Sequence, residues 1–546
     1  MGYEKEYDGI IIGAGHNGLI TQAYLARTGL STLSIDKGQH AGGGLQTPED
    51  NSLPGFFHGT HAVSLKGVTS SAWFKDLQLA DWGVRFVAPD PSITSIQRDG
   101  RAIVWYASPE RTAESIAQFS ERDARTWRTI AAEHQDVVRE LVGPEMSSPA
   151  VGSEQRDRIL RGSELGRRYL KYAPLSPRQF IEDTFESDAV KAMLLYYCVI
   201  REVDVNVPDQ GNVVPTFLAS QVPGEIAVGG SYSLARALKH DVYAHGGHIM
   251  EQTTPRRIVV EGGRAVGVEL EDGSLIRARQ FVASSLNPHQ TFLQLLGDDS
   301  TDELTQKTRD FKYQKVGQIF GVNVALKDAP DYTAAAANPD INKARLTFLG
   351  LDDPVDVLRL YDNADRGIVS DQVMLIGGCP TVHDPSQAPP GHHAAYMWQK
   401  TPYALGGDPA NWDTHKERQL ETVLDFWRGY APNLGGANLL GAFAGTPLDT
   451  ERRFPSMQRG DLFHGWFGPG QRGVDRPFPG MRGHAVPGVE RLYLAGSSAH
   501  PGGNITGFPG YLAASQIADE VGVSRWWGVR DIWAELAGAE LAGGEQ

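Results

Sequence analysis

Three glycines near the start of the chain, Gly13, Gly15 and Gly18, have the G-x-G-x-x-G spacing with which a backbone turn can bind phosphate. They follow a β-branched run and precede a helical pattern, and a second strand pattern ends at Asp36. In such a unit the first glycine makes the turn, the second admits a pyrophosphate, and the third lets the helix pack on the strand. The helix N-terminus favours phosphate charge, and the terminal acid can accept hydrogen bonds from ribose hydroxyls. The sequence therefore predicts a dinucleotide site.

A second run of glycines follows the second strand and bears on which dinucleotide binds. Gly42, Gly43 and Gly44 stand in "KGQHAGGGLQT", and a nicotinamide site does not require them. The run resembles the motif of FAD-dependent amine oxidases and carotenoid desaturases, in which paired glycines lie along the cofactor. The alternative is a flexible surface loop. FAD is therefore the expected cofactor, and its predicted contacts include Asn17 and Leu45 beside the two glycine motifs.

Five segments, in order along most of the chain, resemble the phytoene desaturase-like (carotenoid oxidoreductase) family of FAD-dependent flavoproteins. They are "IIGAGHNGLITQAYLARTGLSTLSIDKGQHAGGG", "GGSYSLARALKHDVYAHGGHI", "GCPTVHDPSQAPPGHHAAYMWQKTPYAL", "MQRGDLFHGWFGPGQRGVDRPFPG" and "LYLAGSSAHPGGNITGFPGYLAASQIADEV". The branch they most resemble is the bacterial relatives of pyridine nucleotide-disulphide oxidoreductase domain-containing protein 2. The two terminal motifs are more specific to the family than the three between them.

This resemblance implies an α/β fold in which a Rossmann-like FAD-binding domain of the amine oxidase/phytoene desaturase type is joined to a discontinuous α+β substrate domain. The FAD-binding domain is expected to comprise residues 1–90, 221–299 and 481–523. The substrate domain is expected to comprise residues 91–220 and 300–480. Residues 524–546 form a tail that contains three tryptophans.

The C-terminal motif is expected to return to the first domain and close over the flavin. By resemblance, 492–495 is a strand and Gly496 passes close to the phosphates. Gly503, Asn504, Ile505 and Thr506 then open the last helix beneath the isoalloxazine ring. A helix N-terminus at that place would stabilise negative charge on a reduced flavin.

Two positions depart from the family pattern. The segment that enters the "RRIVVEGGRAVGVELEDGSLIRARQFVAS" meander of three strands contacts adenine through backbone N–H and C=O in relatives, and by register that position is Pro255. Proline has no N–H, so Arg256 is the candidate to replace the contact. The arginine that relatives carry two residues after the ribose-binding acid is Gly38 here, which leaves Lys37 as the positive charge near the phosphates.

Catalytic residues are predicted from position alone, because hydride transfer to a flavin needs little help from the protein. The segment "GFFHGTHAV" is expected to run past the flavin, which makes His58 and His61 candidate acid–base groups. His500 is a third candidate within the C-terminal motif. For each histidine, an orienting or packing role is the alternative. The remaining histidines and the two cysteines form no ligand pattern, so no metal site is expected.

Composition and charge narrow the class of protein. The formal net charge is −15, from 51 Lys and Arg against 66 Asp and Glu, which argues against a nucleic-acid partner. Two cysteines in unrelated contexts exclude a disulfide framework and fit a reducing compartment. The N-terminus lacks a secretion signal and no apolar stretch has transmembrane length, so a cytoplasmic location is expected.

Three functions remain open at this point. The leading hypothesis is an FAD-dependent dehydrogenase or desaturase that removes hydride from a small, largely apolar substrate of terpenoid or alicyclic type. The second is an isomerase that uses reduced flavin without net redox. The third is a lipid- or prenyl-protein-binding module like the guanine-nucleotide dissociation inhibitors, which share the architecture.

Partners follow from the same reasoning. A dehydrogenase needs an electron acceptor, which is oxygen, a quinone or a carrier protein. The tail tryptophans, Trp526, Trp527 and Trp533, are expected to pack against the protein itself. A peripheral membrane contact or an intersubunit contact in a homo-oligomer is the alternative.

Overall fold

A computed structural model describes residues 5–481 and 483–543, and its strands form three sheets. Residues 1–4 and 544–546, at the outer ends of the predicted first and last segments, lie outside the described residues, as does Arg482. Two of the sheets have seven strands each, and the third is a small sheet of three.

The strands are β1 (Glu6–Ile12), β2 (Thr32–Ile35), β3 (Leu65–Lys66), β4 (Phe86–Val87), β5 (Ile93–Ile96), β6 (Ala102–Trp105), β7 (Gly224–Ala227), β8 (His248–Met250), β9 (Pro255–Glu261), β10 (Arg264–Leu270), β11 (Leu275–Ser284), β12 (Ile319–Leu326), β13 (Leu346–Leu349), β14 (Leu375–Gly378), β15 (His393–Lys400), β16 (Leu439–Gly445) and β17 (Leu492–Leu494).

The α-helices are α1 (His16–Ala26), α2 (Ala72–Asp76), α3 (Pro109–Ala117), α4 (Glu121–Val137), α5 (Gly143–Glu145), α6 (Ser153–Gly162), α7 (Glu164–Leu170), α8 (Pro177–Thr184), α9 (Asp188–Ile200), α10 (Val213–Ala219), α11 (Tyr232–Ala244), α12 (Asp302–Arg309), α13 (Pro354–Asp365), α14 (Trp412–Arg428), α15 (Pro447–Arg453), α16 (Phe508–Val521) and α17 (Ile532–Gly543).

The first sheet is built from both ends of the chain. Strands β8, β2, β1 and β11 lie side by side and parallel, and β17 adds to β11 with Val282 opposite Leu492. Strands β9, β10 and β11 form the antiparallel meander that the "EGGR" and "EDGS" turns predict. Helices α1, α11 and α16 share one apolar core with this sheet. The carboxyl ends of β1 and β2 therefore meet at one edge, where open α/β sheets bind ligands.

The second sheet has the order β16-β12-β15-β14-β13-β5-β6, and only β13 and β5 are parallel. Helices α9 and α13 share one apolar core with it, and α14 shares another. Strand β7 joins β3 and β4 in the third sheet. Within residues 5–481 and 483–543, no helix combines the length and the apolar character needed to cross a bilayer.

The helix that follows the C-terminal motif begins later than the sequence-based expectation. Helix α16 begins at Phe508 after the left-handed cap Gly507, so residues 503–506 form a loop before the helix rather than its first turn. The preceding strand ends at Leu494. Loop residues therefore stand where the helix N-terminus was expected.

Candidate active site

A cavity of about 950 Å³ begins at the carboxyl ends of β1 and β2 and reaches the second sheet. Its walls include Ile12 and Ile35, the last residues of those two strands. At its far end they include Tyr396 and Lys400 of β15. The cavity thus joins the predicted dinucleotide motif to the region predicted to bind substrate.

The three glycines of the first motif have three different roles. Gly13 has a φ of 87°, which favours glycine, and a Cβ at Gly18 would lie 2.2 Å from the Gly13 carbonyl oxygen. Gly15 caps α1 and lines the cavity. A Cβ on Gly15 would come no closer than 3.9 Å to its nearest neighbour, the Cα of Gly43. The protein itself therefore accepts a side chain at Gly15, and the space that the glycine leaves open belongs to the cavity.

Asp36 connects the motif to the second strand. Its Oδ2 accepts a hydrogen bond from the Ala14 N–H at 2.6 Å, and its Oδ1 accepts one from the Gly38 N–H at 2.7 Å. Burial raises the pKa of the Asp36 carboxyl, against the effect of these two hydrogen bonds. Asp36 and Lys37 both line the cavity. A carboxylate oxygen has two lone pairs, so Asp36 can bind the backbone and still accept from a ribose hydroxyl.

The second glycine run lies against the first. The Gly42 N–H donates to the Ala14 carbonyl at 2.7 Å, and Gly43 and Gly44 line the cavity. Gly42 and Leu45 stand behind them: a Cβ on Gly42 would lie 2.8 Å from Ala235 Cβ, and Leu45 belongs to the core under the first sheet. These two residues support the site and do not line it.

The C-terminal motif contributes some residues to the cavity wall and others to its support. Asn504, with a φ of 70°, and Ile505 line the cavity, as does Ser497. A Cβ on Gly496 would lie 2.2 Å from the Ser285 carbonyl oxygen, and one on Gly503 would lie 2.4 Å from that of Phe463. Glycine at these two positions therefore serves backbone packing beside the cavity.

Thr506 is also a supporting residue. Its carbonyl oxygen accepts a hydrogen bond from Trp73 Nε1 at 2.7 Å, and it does not line the cavity. Asn17 does line it, and its side chain binds the C-terminal motif: Nδ2 donates to Ser497 Oγ at 3.1 Å, and Oδ1 accepts from the Gly510 N–H at 3.3 Å. Helix α1 and the C-terminal motif are thus held together at the cavity wall.

The adenine-side predictions have different outcomes. Pro255 lines the cavity together with Thr254. Arg256 does not, because its exposed guanidinium pairs with Glu269 of the adjacent strand at 3.1 Å. Arg256 is therefore a surface ion-pair residue of the meander and a poor candidate for the adenine contact.

Of the three predicted histidines, only His61 lines the cavity. Its Nδ1 lies 2.9 Å from Thr60 Oγ1, its Nε2 lies 3.1 Å from Thr450 Oγ1, and burial lowers its pKa to about 3. His58 is buried with its Nε2 3.5 Å from Asp50 Oδ2, and His500 Nε2 lies 3.2 Å from the Ser148 carbonyl oxygen. His61 is thus a neutral, fully hydrogen-bonded imidazole, and the other two histidines lie outside the cavity wall.

A buried ion pair that no sequence pattern predicts lines the same cavity. Lys400 Nζ donates to Glu202 Oε1 and to the Gly317 carbonyl oxygen, both at 2.8 Å. Glu202 Oε2 is buried and has no hydrogen-bond partner among the described residues. Glu202 also has a φ of 59°, a strained backbone conformation that persists at functional sites. Its position in the sequence, "IREVDV", belongs to no recognisable motif.

The protonation of Glu202 suits proton transfer near neutral pH. Burial and, less strongly, Asp461 raise the pKa of Glu202 to about 7, although the Lys400 charge opposes the shift. A carboxyl with this pKa exchanges a proton readily at physiological pH. Within the described part of the chain, no group of three His, Cys, Asp or Glu is arranged to hold a metal ion.

A buried arginine orders part of the cavity wall beside the C-terminal motif. The Arg476 guanidinium donates to backbone carbonyls that include those of Ser497 at 3.1 Å and Phe463 at 2.8 Å. Phe463 and His464 line the cavity beside this arginine. His464 Nδ1 is buried without a hydrogen-bond partner in the described ranges, and burial lowers its pKa to about 3. An unsatisfied buried nitrogen at the wall indicates a place where a ligand atom can bind.

These residues fit a bound dinucleotide such as FAD. The space beside Gly15 and Gly43 has room for phosphates, and Asp36 can accept a hydrogen bond from a ribose hydroxyl. Residues of the C-terminal motif line another part of the cavity wall. Because glycine has no side chain, the backbone at these positions can approach a ligand closely. Glycine turns bind a pyrophosphate in this way.

Comparison with known proteins supports the resemblance found in the sequence. Residues 11–77 match the NAD(P)-binding Rossmann-like domain. The chain is 29% identical to one of the subunits of limonene dehydrogenase from Castellaniella defragrans, over 96% of this chain and 97% of the relative. It is also 29% identical to pyridine nucleotide-disulfide oxidoreductase domain-containing protein 2 of Rattus norvegicus, over 94% and 93%, and 23% identical to prolycopene isomerase 1 of an Oncidium hybrid cultivar, over 95% and 85%. These relatives support the resemblance of the chain to the phytoene desaturase-like family.

The solved structures agree on the fold. Cyclohexylamine oxidase from Brevibacterium oxydans superposes with a TM-score of 0.58 at 15% identity, over 94% of this chain and 99% of that one. The α/β fold of amine oxidase type expected from the sequence is therefore confirmed. Oxidoreductases among the relatives, such as limonene dehydrogenase, support an oxidoreductase of flavoprotein type.

Proposed function

We propose that the protein is an FAD-dependent dehydrogenase or desaturase that removes hydride from a C–H bond of an organic substrate with a largely apolar body. The observation that carries the proposal is the continuous cavity that runs from the glycine motifs to the strands of the second sheet. The dehydrogenase activity named for the limonene dehydrogenase relative supports the same class of reaction.

Bound FAD would supply the hydride acceptor, as it does in flavoenzymes generally. The chain's own residues would hold and prepare the reactants. The glycines of the two motifs that line the cavity, together with Asp36, bind the dinucleotide. Apolar residues of the second sheet, which include Ile319, Leu346 and Ile376, exclude water around the substrate.

Glu202 is the candidate acceptor for the proton that a desaturation releases. Its free Oε2 is the atom that would take the proton, and Lys400 on Oε1 stabilises the carboxylate before transfer. His61 and His464 are neutral at physiological pH because burial lowers the pKa of each to about 3. Both rings are therefore weak bases. His464 Nδ1, which has no partner among the described residues, can orient a ligand group through a hydrogen bond, whereas both nitrogens of His61 are already bonded.

The visible spectrum of the purified protein tests this proposal. Yellow protein that bleaches anaerobically when a saturated apolar substrate is added would support a dehydrogenase. Protein that remains colourless after reconstitution with FAD would contradict it. Reoxidation by oxygen, by a quinone analogue and by a carrier protein can then be compared in the same cuvette.

An isomerase is the second candidate because one full-length relative is a prolycopene isomerase. In that case the reduced flavin would be required, and no electron acceptor would be consumed. Product that forms only after dithionite reduction, with the flavin still reduced at the end, would favour the isomerase over the dehydrogenase.

A further inference from the structure

Three basic side chains line the cavity beside the second and third sheets. Lys66 ends strand β3, Arg201 caps helix α9, and Arg345 immediately precedes strand β13. They come from three separate parts of the chain, and the fold brings them to one place. We call these three residues the cationic end of the cavity.

Backbone register and packing bring the three charges together. Lys66 lies opposite Gly224 in the pairing of β3 with β7. The Arg345 guanidinium lies against the same glycine, where a Cβ would be only 2.1 Å from its Nε. Arg201 follows Tyr197 by one helical turn, and its N–H donates to the Tyr197 carbonyl.

Tyr197 is surrounded by the same three charges. Burial alone would raise the pKa of its hydroxyl, but the charges of Lys66, Arg201 and Arg345 lower it overall. A pKa lowered in a buried phenol requires a local excess of positive charge. Tyr197 itself lines the cavity, so this excess acts on the space inside it.

No carboxylate in residues 5–481 or 483–543 lies within ion-pair distance of any residue of the cationic end. The two nearby acids are used elsewhere. Glu202 pairs with Lys400 at 2.8 Å, and Glu225 accepts hydrogen bonds from the Val68 N–H and the Thr69 hydroxyl. No carboxylate of the described residues therefore forms an ion pair with the cationic end.

Unsatisfied donors are found at the same wall. Arg345 Nη2 donates to Ser92 Oγ at 2.9 Å, but its buried Nε has no acceptor in the part of the chain that the structure describes. The buried Trp398 Nε1 also lacks an acceptor there, and both residues line the cavity. Buried N–H donors without acceptors are costly, and buried unpaired charges cost more. An uncharged hydrocarbon would leave all of these groups unsatisfied.

We propose that the substrate carries an oxyanion group, a carboxylate or a phosphate, that binds between Lys66, Arg201 and Arg345. Its apolar body extends from there along the second sheet toward the flavin. A guanidinium suits this role because its planar donors match the oxygens of a carboxylate or a phosphate. This inference rests on the proposed function, since it specifies the substrate class of the same cavity.

Calorimetric titration of the purified protein with cyclohexanecarboxylate, cyclohexyl phosphate and the uncharged cyclohexanecarboxamide tests the proposal. At least one anion should bind about tenfold or more tightly than the amide, as expected for charge-assisted hydrogen bonds. The better of the two anions shows whether the group is a carboxylate or a phosphate. Equal affinity for the amide and both anions would overturn the proposal.

Variants show whether the preference arises at this end of the cavity. R345Q and, separately, R201Q should bring the anion affinity to within about twofold of the amide, while affinity for the amide itself stays unchanged. The matched control is R277Q, which removes an exposed arginine that pairs with Glu261 at 3.3 Å on the surface. Anion preference that persists in both cavity variants would contradict the proposal, and two substitutions guard against one that fails to fold.

The same titrations separate this inference from the proposed function. Calorimetry needs no bound flavin, so protein that rejects FAD but prefers the anions would keep the anion site and remove the dehydrogenase. Flavin that is reduced equally well by charged and uncharged substrates would keep the dehydrogenase and remove the anion site.

Discussion

The protonation of Glu202 depends on competing neighbours. Burial is the largest effect and raises the pKa of Glu202. The charge of Lys400 lowers this pKa and the charge of Asp461 raises it, and the result is a pKa of about 7. Its acid form therefore predominates below neutral pH and its carboxylate form above. Since only the carboxylate can accept a proton, the chemistry that we assign to this residue should depend on pH.

We expect the rate of flavin reduction by substrate to rise with pH through about 7 and then to level off in the wild-type protein. In E202Q the rate should be lower and the rise should be lost, because an amide cannot take up the proton. Stopped-flow reduction across the range from acidic to alkaline pH measures both. E451Q is the control, since Glu451 binds the Arg459 N–H outside the cavity. An unchanged profile in E202Q would show that another group accepts the proton.

Asp36 supports a second prediction about a single residue. In D36N an amide must replace the carboxylate that accepts from the Ala14 and Gly38 N–H groups. Loss of a hydrogen bond to a charged group costs about 1.5–3 kcal/mol, so FAD should bind about tenfold or more weakly. Fluorescence titration of apoprotein with FAD measures this. D272N alters a similar but exposed turn, in which Asp272 accepts from the Ser274 N–H, and should bind FAD normally.

At the scale of elements, the turn between β1 and α1 contains one glycine that is needed for packing and another that leaves space in the cavity. Gly18 touches the backbone of Gly13, whereas Gly15 faces the cavity and has open space around it. A methyl group therefore has opposite consequences at two positions three residues apart. A methyl group on Gly18 would disturb the packing of the helix on the strand, and one on Gly15 would occupy the place of the proposed cofactor.

G15A should keep the melting temperature of the wild-type apoprotein but bind FAD about tenfold or more weakly. G18A should lower the melting temperature, because its Cβ would lie 2.2 Å from a carbonyl oxygen and overpacking costs about 1–3 kcal/mol. Scanning calorimetry without FAD, followed by FAD titration, distinguishes the two. A destabilised G15A with normal FAD affinity would contradict the assignment of the open space to the cofactor.

Elements that depend on local pattern were predictable from the sequence, and those that depend on distant contacts were not. The β1–α1–β2 unit and the β9–β11 meander follow from glycine spacing and turn residues within short windows. The predicted start of α16 was wrong. The loop before this helix is held by Phe463 and Trp73, which are far away in the sequence. Local spacing could not reveal this.

The catalytic candidates show the same limit. Position in a motif suggested His58 and His500, but burial against Asp50 and Ser148 places both away from the cavity. Glu202 and Lys400 are separated by 198 residues, and neither belongs to a motif. A pair of this kind can be recognised only when tertiary structure has brought its members together.

At the scale of the whole molecule, the C-terminal segment closes the core of the first sheet. Trp527 is buried, its Nε1 donates to Ser515 Oγ at 2.9 Å, and its ring lies 4.8 Å from that of Tyr24 on α1. Trp533 is buried in a separate cluster with Leu141. Trp526 stacks on Tyr24 but remains 39% exposed. All three tail tryptophans therefore pack against the protein itself, and only Trp526 remains partly exposed.

W527A should lower the free energy of unfolding by about 3–5 kcal/mol, because it removes a buried ring and leaves a cavity. W526A is the matched control: it removes an adjacent, partly exposed ring and should cost less. Urea denaturation followed by circular dichroism measures both. A smaller loss in W527A than in W526A would show that the tail is not part of the core.

Strand β17 lies beside β11, and β11 lies beside β1, although the chain must extend past residue 490 before β17 exists. On a ribosome, which releases the N-terminal end first, β1 and its glycine turn emerge long before Ser497 and Asn504, which complete the cavity wall. A nascent or prematurely terminated chain therefore has half of a cofactor site. The flavin that we propose would therefore bind after translation, and its availability at that moment would affect how much of the finished polypeptide escapes proteolysis.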